Sequence, residues 1–162
     1  MNLGDRFGGL SRRSAILIGL TIGAGLLHHV DHVLRVDHSG WPFRPDVNPF
    51  TFSLLAYPIL LFALFGPRRW FWIRWGLLLV GAAFTLFAHT ALETPNMQYT
   101  MWAHDYSSDP RDHGSHNLLG LQCAAVGAVA VVVSMTLNVL LIASCLSMFW
   151  DGPKARHGLV RA

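Results

Sequence analysis

Four stretches of the sequence are each long and apolar enough to cross a lipid bilayer as a helix, and they occupy most of its 162 residues. A membrane-spanning helix needs about 20 mostly apolar residues, with a range of roughly 17 to 25. The candidate spans are residues 14–34, 49–65, 70–92 and 117–150. A composition of 52% hydrophobic and 13% charged residues departs from that of soluble domains in the same direction. The sequence therefore predicts a single-domain, all-α integral membrane protein, built as a bundle of four transmembrane helices.

Lysine and arginine are distributed unevenly between the two sides that these spans define. Three lie on one side, and nine lie on the other: Arg6, Arg12, Arg13, Arg68, Arg69, Arg74, Lys154, Arg156 and Arg161. The positive-inside rule then predicts that both termini are cytoplasmic. Nearly all histidines and acidic residues fall in loops and helix ends on the opposite, outer side. Because the basic residues are scattered, the expected partner is the lipid bilayer and no nucleic acid is expected.

The segment Ser11-Arg12-Arg13-Ser14 before the first apolar run has a second interpretation. It resembles the start of a secretory or twin-arginine signal, which would be removed from the mature protein. No small-residue cleavage site follows Leu27, and removal would detach the histidines beyond it. We therefore expect the first span to be retained.

The first span ends in the sequence HHVDHVLR, which places polar side chains on one helical face. Successive helical residues advance by about 100°, so His28, Asp31, His32 and Arg35 share an arc of roughly 100°. His29 lies at the margin of that arc. The pair Gly19-x-x-x-Gly23 lies on the opposite side and favours a close helix contact, either within the chain or with a second copy or a partner subunit.

The other two long spans carry comparable stripes. In the third, Thr85, His89 and Glu93 follow one another at turns of the helix. In the fourth, small and polar residues repeat at steps of three, four and seven, which predicts a packing face; its members are His116, Gly120, Cys123, Gly127, Ala130, Ser134, Asn138 and Cys145. The phase of that stripe predicts that His116 points into the bundle.

Two of these faces have the spacing of metal-binding pairs. His28/His32 and His89/Glu93 are each separated by four residues, which lets two side chains of one helix reach a single ion. Ionisable groups inside a membrane are costly and are candidates for function. The predicted metal ligands are His28, His32, His89, Glu93, His104, His113 and His116, with Glu93 and Asp31 as candidate catalytic proton carriers. The alternatives are ordinary hydrogen bonds between the histidines and a simple Asp31–Arg35 ion pair.

The identity of the metal is left open by the residues. No cysteine lies near the cluster, and imidazole with carboxylate suits iron, copper or zinc. Met97 and Met101 beside His104 would suit copper, although methionines also fill the apolar undersides of loops. Haem b is a further possibility, with His89 and either His28 or His32 as axial ligands.

These features support more than one function. The leading hypothesis is a metal-dependent membrane oxidoreductase or hydrolase that acts on a lipophilic substrate from the extracytoplasmic side. The alternatives are a non-catalytic metal-binding subunit of a larger membrane complex and a b-type haem electron carrier.

Overall fold

The computed structural model describes residues 7–35, 53–108 and 115–159, and every regular element in these ranges is helical. The described α-helices, in chain order, are α1 (Arg12–Arg35), α2 (Ala56–Phe65), α3 (Phe71–Phe87), α4 (Pro95–His104) and α5 (Ala124–Leu159). A 3₁₀ turn, Arg68–Trp70, precedes α3, and a π-helical turn, Ala88–Leu92, follows it.

Three helical stretches have the length and apolarity needed to cross a membrane: Arg12–Arg35, Arg68–Leu92 and Ala124–Pro153. They correspond to the first, third and fourth predicted spans, so the helical prediction is confirmed for these three, each of which could cross a membrane. The second predicted span, 49–65, contains only the ten-residue helix α2, and residues 49–52 lie outside the described ranges. The predicted count of four spanning helices is therefore not established.

The segment before α5 differs from the prediction. The fourth span was expected to begin at residue 117, but α5 begins at Ala124. The Asn117 side chain accepts from the backbone N–H groups of Leu119 and Leu121 and donates to the carbonyl of Leu121. Gly120 has a φ of +60°, a left-handed conformation that glycine adopts without strain. These contacts hold the backbone in turns, so the helix begins about seven residues later than the predicted span, which was placed from about residue 117.

A helix also occurs where the sequence predicted a loop. Thr94 caps α4 by accepting from the backbone N–H of Met97, and Pro95 occupies the first helical turn. Both features favour helix initiation, because the side-chain oxygen satisfies a free N–H and proline has none to satisfy. Gln98, Met101 and Trp102 form the buried face of α4.

The chain forms two compact units, and the long helices contribute to both. The first unit contains Met1–Gly23, Leu55–Phe84 and Asn138–Ala162. Within it, hydroxyl groups join α1 to α5: Ser14 Oγ lies 2.8 Å from Ser147 Oγ, and Thr21 Oγ1 lies 3.0 Å from Ser144 Oγ. The Asp151 carboxylate accepts from Ser14 Oγ at 2.6 Å. Small hydroxyl side chains let membrane helices approach closely while satisfying their own polar groups.

Arg74 on α3 is fully buried in the same unit. Its guanidinium donates to backbone carbonyl oxygens of two segments, the end of α2 and the turn before α1; the acceptors are Phe7, Gly8, Phe62, Ala63 and Leu64. The last carbonyls of a helix have no partner within the helix. Arg74 therefore supplies the donors that complete the end of α2.

The second unit contains Ala24–Leu54 and Thr85–Leu137. Within it, α4 packs against the beginning of α5, where the Cys123 N–H donates to the Trp102 carbonyl at 2.7 Å. A Cβ at Gly127 would lie 2.8 Å from the Tyr99 carbonyl oxygen, so only glycine permits this close approach.

The predicted packing stripe is confirmed on the helical part of the last span. Its members Ala130, Ser134, Asn138 and Cys145 are all buried on α5. Its first members, His116 and Gly120, precede the helix and are exposed. The periodicity therefore identified the packing face correctly and extended it too far toward the N-terminus.

Candidate functional site

The polar face predicted at the end of α1 is buried in the second unit. His28, His32 and Arg35 are 4%, 9% and 1% exposed, whereas Leu27 and Val30 on the other side are more than half exposed. Together with His89 and Glu93 they form what we call the buried polar cluster, defined as His28, Asp31, His32, Arg35, His89 and Glu93. All six residues belong to the second unit.

A π-helical turn at the end of α3 positions the other half of the cluster. The Glu93 N–H donates to the carbonyl of Ala88, five residues earlier, at 2.8 Å. A π turn inserts one residue into the helical spacing and is frequent at functional sites. His89 lies within this turn, and Glu93 follows it with an extended backbone at φ −134° and ψ 90°. The two residues therefore do not form the regular i,i+4 helical pair that the sequence predicted, yet both reach α1.

His28 and His89 face each other directly. Their Nε2 atoms lie 3.0 Å apart, and their ring centroids are 4.6 Å apart. Both residues are at most 5% exposed. Without a bound ion, one of the two Nε2 atoms must carry a proton and donate it to the other. The Nδ1 atom of His28 is buried and has no hydrogen-bond partner among the described residues.

Glu93 is held between a cation and an imidazole. Its Oε1 accepts from Arg35 Nη1 in an ion pair, and its Oε2 lies 3.4 Å from His32 Nε2. Burial by itself would raise the pKa of the Glu93 carboxyl. The Arg35 guanidinium and His32 outweigh burial and hold that pKa well below its usual range. Glu93 is therefore a carboxylate at neutral pH.

Asp31 forms the ion pair with Arg35 that was considered as an alternative to its catalytic role. Arg35 Nε donates to Asp31 Oδ2 at 3.0 Å, and Trp102 Nε1 donates to Asp31 Oδ1 at 2.8 Å. Both carboxylate oxygens of Asp31 are thus engaged. Arg35 Nη2 is buried and has no hydrogen-bond partner among the described residues. The catalytic role of Asp31 stays a prediction, and its contacts are those of a residue that positions Arg35.

Two further residues of the site were missed by the sequence reasoning. Trp102 is 3% exposed, and its indole N–H donates a hydrogen bond to Asp31. Gln98 is fully buried and donates to the Glu93 carbonyl at 3.4 Å and to Ser134 Oγ at 3.2 Å. The sequence signal that identifies them is their four-residue spacing, which places both on one face of α4.

The remaining predicted ligands do not join the buried polar cluster. His104 is exposed at the end of α4, with its ring centroid 6.2 Å from that of Tyr99. The His116 side chain is 69% exposed, and its Nδ1 lies 2.8 Å from the Asp105 carbonyl oxygen. The prediction that helix phase directs His116 inward is wrong, because this residue precedes α5. His113 lies outside the described residues.

His29 has separate partners. Its Nε2 lies 2.8 Å from Ser53 Oγ, and its Nδ1 lies 3.0 Å from the Gly25 carbonyl oxygen. Both ring nitrogens are therefore hydrogen-bonded away from the cluster, in agreement with its marginal helical phase.

Among the described residues, the formal charges of the buried polar cluster do not cancel. Two carboxylates, Asp31 and Glu93, face one guanidinium, Arg35. Burying a net charge is unfavourable unless it is compensated. Either a proton on one of the three imidazoles or a bound cation would neutralise the cluster.

Within the ranges 7–35, 53–108 and 115–159, no three His, Cys, Asp or Glu side chains converge in an arrangement that would hold a metal ion. Two imidazoles meet, but the Glu93 carboxylate that would complete the set is held by Arg35. Comparisons with protein-family models, curated proteins and solved structures found no match to this chain. The functional conclusion therefore rests on the chemistry of the site.

Proposed function

We propose that this chain is a multi-pass membrane protein that binds one transition-metal ion at the buried polar cluster, with His28 and His89 as its first two ligands. The observation that carries the proposal is the 3.0 Å separation of their Nε2 atoms in a buried environment. Two imidazole nitrogens, each about 2.05 Å from one tetrahedral ion, lie about 3.3 Å apart. Binding an ion would require only a small shift of the two rings.

The same distance argues against the haem alternative. Axial ligands on opposite sides of one iron, each about 2 Å away, would lie about 4 Å apart with the flat macrocycle between them. The two Nε2 atoms are closer than that, at 3.0 Å, and the two rings are arranged edge to face. An ion bound directly by the imidazoles fits this geometry better than a haem.

The charge of the cluster also favours a cation. A divalent ion at His28 and His89 would compensate the excess carboxylate of Asp31 and Glu93. Imidazole and carboxylate donors without thiolate suit iron, copper or zinc. His32 and Glu93 are the neighbouring donors that would complete the site, Glu93 after leaving its ion pair with Arg35. Further ligands from the substrate or water would leave the site open for chemistry.

The activity that we propose for this site is a metal-dependent oxidoreductase or hydrolase reaction on a lipophilic substrate. The ion would polarise the substrate or activate water, and Glu93 would accept or donate the proton. By the distribution of lysine and arginine, both termini would be cytoplasmic and the site would face the extracytoplasmic side.

One observation favours a second candidate, a non-catalytic metal-binding subunit of a membrane complex. Gly19 and Gly23 are exposed, and a Cβ at either position would meet nothing within 4 Å. The small-residue face is therefore not used for a contact within the described residues, and it is open to a second copy or a partner helix. A purified chain that turns over substrate alone would exclude this candidate.

Metal analysis of the protein purified in mild detergent tests the proposal. We expect about one transition-metal ion per chain by mass spectrometry of the elements, and loss of that ion in His28→Ala and His89→Ala. His116→Ala is the matched control, because His116 is an exposed histidine bonded to Asp105, and it should retain the ion. Helix content by circular dichroism shows that each variant is folded.

The proposal fails if the wild-type protein neither carries a transition metal nor is stabilised by added Zn²⁺, Fe²⁺ or Cu²⁺. In that case a protonated histidine balances the charge, and the cluster is a structural hydrogen-bond network. An absorption spectrum with a Soret band would instead support the haem alternative.

A further inference from the structure

We propose that Glu93 exchanges its ion pair with Arg35 for the metal, and that Arg35 thereby sets how tightly the metal binds. This inference rests on the proposed function. It starts from two observed contacts, in which the His28 and His89 imidazoles face each other and the Glu93 carboxylate pairs with Arg35.

Arg35 is fixed independently of Glu93. Its Nε donates to Asp31 Oδ2 at 3.0 Å, and Asp31 is held in turn by the Trp102 indole at 2.8 Å. Trp102 belongs to the buried face of α4, and its carbonyl accepts from the Cys123 N–H. If Glu93 leaves, Arg35 keeps its position and its ion pair with Asp31. Arg35 therefore stays in place and competes with the metal ion for the Glu93 carboxylate.

Glu93 is the member of the cluster that is able to move. It follows the π turn with an extended backbone, and its side chain is 21% exposed, compared with 1% for Arg35. Its second oxygen, Oε2, already lies 3.4 Å from His32 Nε2. His32 is one helical turn beyond His28, and the two ring centroids are 6.2 Å apart. A rotation of the Glu93 side chain away from Arg35 is therefore the change that would bring a carboxylate oxygen to an ion at His28 and His89.

The exchange has an energetic consequence. The Arg35 charge stabilises the Glu93 carboxylate, and a metal ion that takes Glu93 as a ligand must replace that ion pair. Breaking a buried ion pair is unfavourable, so its loss subtracts from the metal affinity. Removing the guanidinium would leave Glu93 available and the cluster more negative, and both effects favour a divalent cation.

Titration of the metal-free protein in detergent with Zn²⁺ tests the inference. We expect Arg35→Gln to bind Zn²⁺ at least tenfold more tightly than the wild type and Glu93→Gln at least tenfold more weakly. In the double variant, the gain from Arg35→Gln should be smaller than in the wild-type background, because only the electrostatic effect of removing the guanidinium remains once the Glu93 carboxylate is absent. Arg13→Gln is the matched control, since Arg13 is exposed at the start of α1, and it should leave the affinity unchanged.

Infrared difference spectra of the wild-type protein give a second readout that does not depend on a folded Arg35 variant. Zn²⁺ should shift a carboxylate stretching band, and that shift should be missing in Glu93→Gln. An unchanged or weaker affinity in Arg35→Gln, or a wild type with no carboxylate shift, overturns the exchange. The proposed metal site still stands if the wild type binds Zn²⁺ and His28→Ala does not. A wild type without metal affinity removes both.

Discussion

Arg35 and Arg74 are the two largest fully buried side chains described in the chain, and their guanidinium groups have different kinds of partners. Arg74, in the first unit, donates to backbone carbonyl oxygens and to no side chain among the described residues. Arg35, in the second unit, pairs with two carboxylates and retains one donor atom without a partner among the described residues.

The different partners indicate different roles for the Arg74 and Arg35 guanidinium groups. Backbone carbonyls of a helix end cannot rotate away, so the contacts of Arg74 are permanent and hold the fold. Carboxylate side chains are able to change partners, and a buried ion pair contributes little net stability by itself. We therefore expect substitution of Arg74 to affect folding and substitution of Arg35 to affect ligand binding.

The largest expected effect is that of Arg74→Gln. It removes charge-assisted hydrogen bonds to several buried carbonyls, each worth about 1.5 to 3 kcal/mol. We expect the free energy of unfolding in detergent, followed by circular dichroism, to fall by about 3 kcal/mol, with no change in Zn²⁺ affinity in the variant that remains folded. Arg13→Gln, at an exposed position, should change stability by less than about 0.5 kcal/mol. Equal losses in the two variants would contradict a structural role for Arg74.

Gly8→Ala tests the contact between Arg74 and one of its acceptors, the Gly8 carbonyl oxygen. Gly8 has a φ of +57°, and a Cβ there would lie 2.6 Å from Arg74 Nη1 and would also collide with the Gly66 carbonyl oxygen. Strain of this kind costs about 1 to 3 kcal/mol, so we expect a loss of about 2 kcal/mol in the same unfolding measurement. Gly19→Ala is the control, since a Cβ there meets nothing within 4 Å. If Gly8→Ala is as stable as Gly19→Ala, the Gly8 contact with Arg74 does not form.

The sequence predicted the cluster well where helical periodicity was continuous. His28, His32 and Arg35 lie on α1, which runs without interruption, and their common face is buried as predicted. Hydrophobic patterning fixes such a face because an apolar environment leaves the polar side chains only one direction to point.

The prediction failed where backbone geometry departs from a regular helix. The π turn before Glu93 and the turns held by Asn117 before α5 each depend on specific hydrogen bonds that helical periodicity does not encode. The Arg35–Glu93 pair joins residues 58 positions apart, and no local pattern specifies it. Assignment of His116 to the interior was wrong for this reason, whereas the pairing of Arg35 with Asp31, four residues earlier, was foreseeable.

Trp102→Phe tests how Asp31, the ion-pair partner of Arg35, is held in place. Phenylalanine keeps the buried aromatic ring but removes the indole N–H that donates to Asp31 at 2.8 Å. A hydrogen bond to a charged group is worth about 1.5 to 3 kcal/mol, and because Asp31 keeps its pair with Arg35 we expect a stability loss of about 1.5 kcal/mol. Trp70→Phe, at a ring that is 45% exposed, should be nearly neutral. A Trp102→Phe variant as stable as Trp70→Phe would show that the indole does not fix Asp31.

The smallest expected effect is that of His116→Ala. The ring is 69% exposed and contacts only Asp105 among the described residues, and exposed ion pairs contribute at most about 1 kcal/mol. Asp105 also accepts from Asn117 N and Nδ2, so the turn retains its main support without the imidazole. We expect an unfolding free energy within about 0.5 kcal/mol of the wild type and an unchanged metal content. A variant that loses its metal would show that His116 is a metal ligand. The site around Arg35 would then include the segment before α5 in addition to α1, α3 and α4.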